Sequence, residues 1–339
     1  MGGFFSTHKK KIFFILRLFV SIVILLYLVT LFDFERVAEV TGRLRLSYVW
    51  PAPFLLALGL YSGGIRWSVL LRYFGVRLGM GEGFFCYLIG NFYGSALPGV
   101  IGGDAVRIGI CSVSKKRSAV DITVSVLIER ICGILALLTV GTAAIVSLPP
   151  VLKSALGPAV VMSVPLMAVA TLAVLSCSYV LFGRISPGWF KGRFAGRGGI
   201  GETILRMIDY IKGIPAAGIS LVFVLSAAFQ VSDILASYFL AKAIHIDLPL
   251  IFFLAVFPIV YILTVLPISL GGLGVREGVF VYLLTRAGIQ ASDAVMVSLL
   301  IYLNRVLVNS SGAVLQIFWK PEVGGAGAGK QPPKESDIV

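Results

Sequence analysis

Apolar residues run in long blocks along this chain, cut by short polar stretches. Six of the blocks are long enough to cross a hydrocarbon core of about 30 Å as a helix, which takes about 20 residues. They are residues 12–32, 50–71, 119–147, 158–182, 216–241 and 294–319, and each is predicted to be a spanning helix. The first follows Lys9-Lys10-Lys11, as a secretory leader would. It is long for a leader's apolar region and no small-residue cleavage site follows it, so it reads as a span. Two further apolar blocks, Phe84–Ile110 and Leu250–Arg286, are broken in the middle. The first arm of the earlier block, residues 84–96, would rise only about 20 Å as a helix, too little to cross. Both blocks are therefore predicted to be re-entrant helical hairpins, entering and leaving on one side. Residues 183–214 and the tail after Lys320 are polar, and the tail is read as a disordered cytoplasmic segment over 321–339. A single membrane domain over residues 1–320 is expected.

The two breaks are copies of one another. Residues 97–109 read LPGVIGGDAVRIG and residues 266–278 read LPISLGGLGVREG. Leu, Pro, Gly, Gly, Val, Arg and Gly match without a gap, 169 residues apart. Spacing of half a chain points to an internal duplication. Leu-Pro stops a helix, and a glycine pair lets the backbone turn and leaves its amides uncovered. Arg107 and Arg276 follow four residues after the second glycine, near the start of the next arm. Bare amides at Gly102, Gly103, Gly271 and Gly272, a helix N-terminus and a guanidinium together suit a phosphate or another anion. The plainer reading is a kinked helix with a snorkelling arginine. Irregular backbone at membrane depth is tolerated only where it is buried or lines a wet cavity, which favours the site.

Composition fits a polytopic helical membrane protein: 58% of residues are hydrophobic, 13% are charged, and mean hydropathy is +0.97. A net charge of +13 would suggest nucleic acid in a soluble chain. Here its placement gives another account, and no nucleic-acid partner is expected. With both breaks as hairpins, segments on one side hold 17 Lys and Arg and those on the other hold 5. The richer side is cytoplasmic by the positive-inside rule, which puts both termini there. Each half then has three crossings, so the second half is inverted and the hairpins enter from opposite leaflets, an arrangement found in transporters. Opposed tips would bring Arg107 and Arg276 near one another. The four cysteines form no CxxC pair, and the two histidines are far apart. No metal site, disulfide framework, nucleotide-binding loop, serine-hydrolase elbow or cofactor is expected.

Ionisable groups at membrane depth cost about 2.5–3.5 kcal/mol or more each and so face a partner or a wet path. Asp104 and Arg107, three apart, can pair on one helical face. Glu129-Arg130 lie near the middle of the third span, Asp233 lies in the fifth, and Arg305 in the sixth. Glu277 adjoins Arg276 and is expected to point away from it, free to meet Arg130 or Arg305. Either these groups form a static salt-bridge network, or Asp104, Glu129, Arg130, Glu277 and Arg305 balance charge or carry a proton beside a headgroup cradle. Arginine suits such a cradle because its planar fork matches a phosphate.

Residues 91–107 (NFYGSALPGVIGGDAVR), the Glu129-Arg130 pair and residues 266–278 together resemble the lysylphosphatidylglycerol synthase transmembrane-region family. The resemblance covers about residues 12–319. That family includes the membrane half of the bacterial multiple peptide resistance factor, whose soluble aminoacyl-transferase domain makes a lysyl-lipid that the membrane half flips. No such domain follows residue 320 here, so the resemblance implies lipid translocation without synthesis. The expected substrate is a phosphate-headed phospholipid, aminoacyl-lipid or polyprenyl- or hopanoid-type lipid, in a bacterial inner membrane. Expected partners are anionic membrane lipids, with a homo-oligomer or a transferase partner open. The alternatives are a membrane-embedded enzyme on lipid-linked substrates and a partner subunit of a glycosyl- or aminoacyl-transferase. No nucleophile, metal cluster or catalytic constellation favours the enzyme.

Overall fold

The computed structural model describes residues 44–96, 102–184, 210–265 and 274–318, with isolated positions between 19 and 42. The first predicted span, the bend residues 97–101 and 266–273 (with Gly271 and Gly272), the middle of the 183–214 segment and the tail lie outside the described residues.

The described chain is all α-helical. A short helix α1 (Leu46–Val49) leads into α2 (Pro51–Tyr73). Next come α3 (Met80–Ala96), α4 (Gly102–Ser114) and α5 (Ala119–Ser147). The second half holds α6 (Pro150–Leu156), α7 (Pro158–Arg184), α8 (Ala216–Ala243), α9 (Leu250–Val265), α10 (Val275–Arg286) and α11 (Ala291–Phe318). Four helical stretches are long and apolar enough to cross a membrane: Leu46–Tyr73, Ala119–Ser147, Ala216–Ala243 and Ala291–Phe318. The pair α6 and α7 makes a fifth only when counted as one span, and it is bent by 95° at Gly157, whose φ of +82° only glycine adopts freely. The chain is thus a multi-pass membrane protein. Its spans agree with the apolar blocks to within a few residues.

The broken blocks are pairs of short helices. The four arms have 17, 13, 16 and 12 residues, each rising less than about 30 Å. α3 is longer than the thirteen residues expected, because it starts at Met80 in the preceding loop. α3 and α4 pack on one another through glycines: a Cβ on Gly103 would sit 2.2 Å from the Gly90 carbonyl oxygen. α9 and α10 meet through aromatic side chains instead, with the Phe280 ring 5.7 Å from Phe257 and 6.3 Å from Phe253.

Packing crosses between the halves. α2 lies against α8, α3 against α11, and α9 against α5. Helix ends repeat as well. α2 closes with the Val76 amide on the Leu71 carbonyl (2.9 Å) around Gly75 at φ +70°. α8 closes with Ile246 on Ala241 (3.0 Å) around His245 at φ +65°, 170 residues later. The same left-handed cap ends α4 at Lys116 and α10 at Gly288. The largest apolar core surrounds α5, α8 and α9, with Phe252, Phe253 and Leu137 fully buried.

Candidate functional site

Glu129 is the centre of the buried polar cluster. It sits near the middle of α5 and is almost fully enclosed. Its Oε1 accepts from Arg66 Nη2 of α2 and from the Tyr87 hydroxyl of α3 (2.9 Å). Its Oε2 accepts from Arg107 Nη1 of α4 at 2.7 Å. One carboxylate therefore ties four helices. Arg66 also donates to Tyr87 Oη (3.1 Å) and to Ser226 Oγ of α8 (3.0 Å). The Arg107 guanidinium lies between the Trp67 and Tyr87 rings, 4.9 and 4.8 Å from their centroids. Arg66 faces Phe229 at 5.3 Å. Such contacts strengthen when water is excluded.

Adjacency explains the next link. Neighbouring residues on a helix diverge by about 100°, so Glu129 and Arg130 serve different partners. Arg130 Nε donates to Asp104 Oδ2 (2.6 Å), and Asp104 Oδ1 accepts from Arg107 Nε (3.0 Å). The expected Asp104–Arg107 pair is present, three residues apart on α4. The chain of charges runs Arg66, Glu129, Arg107, Asp104, Arg130. Tyr87→Phe removes one donor to Glu129 and one acceptor for Arg66. It is expected to cost about 1–2 kcal/mol, read as a lower melting temperature of the detergent-purified protein.

The second half carries a looser set. Arg276, second residue of α10, donates through Nε to Glu277 Oε1 (2.9 Å) and lies 5.5 Å from the Tyr302 ring. This corrects the expectation that Glu277 turns away to meet Arg130 or Arg305. Glu277 Oε2 instead caps the start of α10 by accepting the Gly274 amide (2.8 Å). That folds the carboxylate back along the helix end, within reach of the neighbouring arginine. Arg305 donates to Asp233 Oδ2 of α8 at 2.7 Å. Tyr261 of α9 lies within electrostatic reach of both Arg130 and Arg305.

Exposure separates two kinds of arginine. The side chains of Arg66 and Arg107 are 4% and 5% exposed, whereas Arg276, Arg305 and Arg130 are at 20%, 28% and 31%. Arg107 and Arg276, equivalent in the duplicated stretch, are held by different carboxylates. Arg107 lies more than a turn into its helix, because α4 already starts at Gly102. Gly102 and Gly103 are helical, and Gly103 serves the close approach to α3. Arg66, Tyr87 and Ser226 were not expected in the site. In sequence Arg66 stands beside Trp67 near the end of the second predicted span with nothing to mark a partner, and nothing separates Tyr87 from the other tyrosines.

A bundle of membrane-crossing helices and broken half-length helices, with ionised side chains tied together at its core, defines a polytopic membrane protein built to hold charge within the bilayer. Residues 14–310 match the family model for the lysylphosphatidylglycerol synthase TM region, and the chain belongs to that family, the one its motifs resemble. Membership ties the chain to membrane-lipid function. No curated protein matches the chain significantly.

Proposed function

We propose that the protein is a flippase or transporter that carries a phosphate-headed lipid across a bacterial inner membrane, as a carrier and not as an enzyme. The observation that carries this reading is an unbalanced charge. Among the described residues of the core, ion pairs join five arginines, Arg66, Arg107, Arg130, Arg276 and Arg305, to four carboxylates, Asp104, Glu129, Asp233 and Glu277. The guanidiniums in these ion pairs outnumber the carboxylates, which suits the single negative charge of a phosphodiester. The three partly exposed arginines are the ones able to receive it, while Arg66 and Arg107 hold the helices in place. The cross-packing of α3 on α11 and of α9 on α5, together with the repeated caps, supports two inverted halves. On this reading α3–α4 and α9–α10 are hairpins re-entering from opposite leaflets. Both termini are cytoplasmic by the Lys and Arg distribution.

The test is a reconstituted assay. Purified protein in liposomes carrying a headgroup-labelled phosphatidylglycerol should move label between leaflets faster than empty liposomes. Arg305→Gln should slow the movement at least tenfold. Movement no faster than in protein-free liposomes, across several phosphate-headed lipids, would overturn the reading.

A further inference from the structure

α11 carries a polar stripe that the ion clusters do not use up. Tyr302, Arg305, Asn309 and Gln316 are spaced by 3, 4 and 7 residues, which places them within about 60° of one another around the helix. The stripe is about 21 Å long. It flanks the buried face formed by Ile301, Asn304, Val308 and Gly312, and on its other edge it borders the exposed apolar residues Val306 and Ile317. α3 lies along it. Gly312 brings the two helices close, where a Cβ would be 2.6 Å from the Leu88 carbonyl oxygen. Polar side chains then meet across the furrow: Asn309 Nδ2 donates to Ser95 Oγ (2.8 Å), and the Tyr93 hydroxyl donates to Gln316 Oε1 (3.1 Å). Both bonds lie at the surface. At its inner end stands Arg305, whose Nε is buried with no acceptor among the described residues.

A surface row of amides and hydroxyls at membrane depth is costly against acyl chains and cheap against a headgroup or water. We infer that the α3–α11 furrow is a binding surface for the phosphate head of a membrane lipid, a track that leads the head to Arg305 while the tails stay outside along Val306 and Ile317. This deepens the transport reading and rests on it for the track's purpose. The chemistry is graded. Neutral donors at Asn309, Gln316 and Ser95 replace headgroup hydration without trapping it, and the Arg305 guanidinium, held by Asp233 through Nη2, stands beyond them.

Photo-crosslinking in liposomes of phosphatidylglycerol tests the surface without asking for transport. A photo-crosslinking amino acid at Asn309 is expected to give adducts through the glycerol-phosphate region. One at Leu307, about 200° around the helix, should give acyl-chain adducts. Acyl-chain adducts at both positions, or none at Asn309, would overturn the inference. The double variant Asn309→Leu with Gln316→Leu, recovered as monodisperse protein with the wild-type melting temperature, is expected to slow label movement at least tenfold. Unchanged movement would overturn the track. A wild type that moves no lipid sinks the transport reading alone, and headgroup adducts at Asn309 would still establish the furrow as a headgroup-binding surface.

Discussion

Glu129→Gln is expected to abolish recovery of folded protein, or to lower its stability by about 3–5 kcal/mol. Removing one partner of a buried ion pair leaves the other charge uncompensated. Here Arg66 loses its carboxylate and Arg107 keeps only Asp104, so the two guanidiniums would face one another across an enclosed space in which Tyr87 and Ser226 offer only neutral oxygens. The amide keeps the shape of Glu129, so the loss reports charge and not volume. A triple variant, Arg66→Met with Glu129→Leu and Arg107→Met, should recover much of the stability, since well-packed apolar replacements of whole ion clusters are often neutral or better. The readouts are monodisperse yield after solubilisation and the melting temperature of what is recovered. A glutamine variant that purifies and melts within about 1 kcal/mol of wild type would show that the cluster does not hold the four helices.

The second large effect is steric. Gly103→Ala places a methyl 2.2 Å from the Gly90 carbonyl oxygen and 3.1 Å from the Gly94 Cα, all of it backbone that no rotamer change can relieve. The two arms must separate, and Arg107, one turn further along α4, moves with them. Overpacking costs about 1–3 kcal/mol and more where the backbone is involved. Gly90→Ala meets the Gly103 carbonyl oxygen at 3.0 Å and should be milder. Gly81→Ala meets nothing within 4 Å and should gain up to about 1 kcal/mol from helix propensity. Melting temperatures should therefore rank Gly81→Ala at or above wild type, then Gly90→Ala, then Gly103→Ala. A Gly103→Ala protein as stable as wild type would mean that the arms are not in contact.

Span positions were legible because the solvent is apolar: a helix must stay apolar for its whole crossing, and the run length says so directly. Asp104 with Arg107 was legible from helical spacing. Arg66 was not. An arginine five residues before a predicted span end has a cheap alternative in reaching the interface, and sequence carries no sign that Glu129 waits for it three helices further along. Glu277 was misjudged because the divergence of adjacent residues on a regular helix was applied to a first turn. There a capping carboxylate bends back to the amide of Gly274. Gly103 was read as a source of uncovered amides, while its lack of a side chain serves a neighbouring helix. Close approach is a tertiary property, and a single sequence shows only that a glycine is there.

Glu129 has no acidic counterpart in the other half: the positions 169 and 172 residues later are Ser298 and Ile301. On the proposed transport reading the halves swap their arrangements, and the exchanged form would lack an equivalent buried glutamate for its arginines. The two end forms would then be unequal in energy. A difference of a few kcal/mol leaves the scarcer form at about 0.1–10% of molecules, so the protein would idle facing one leaflet and visit the other only briefly.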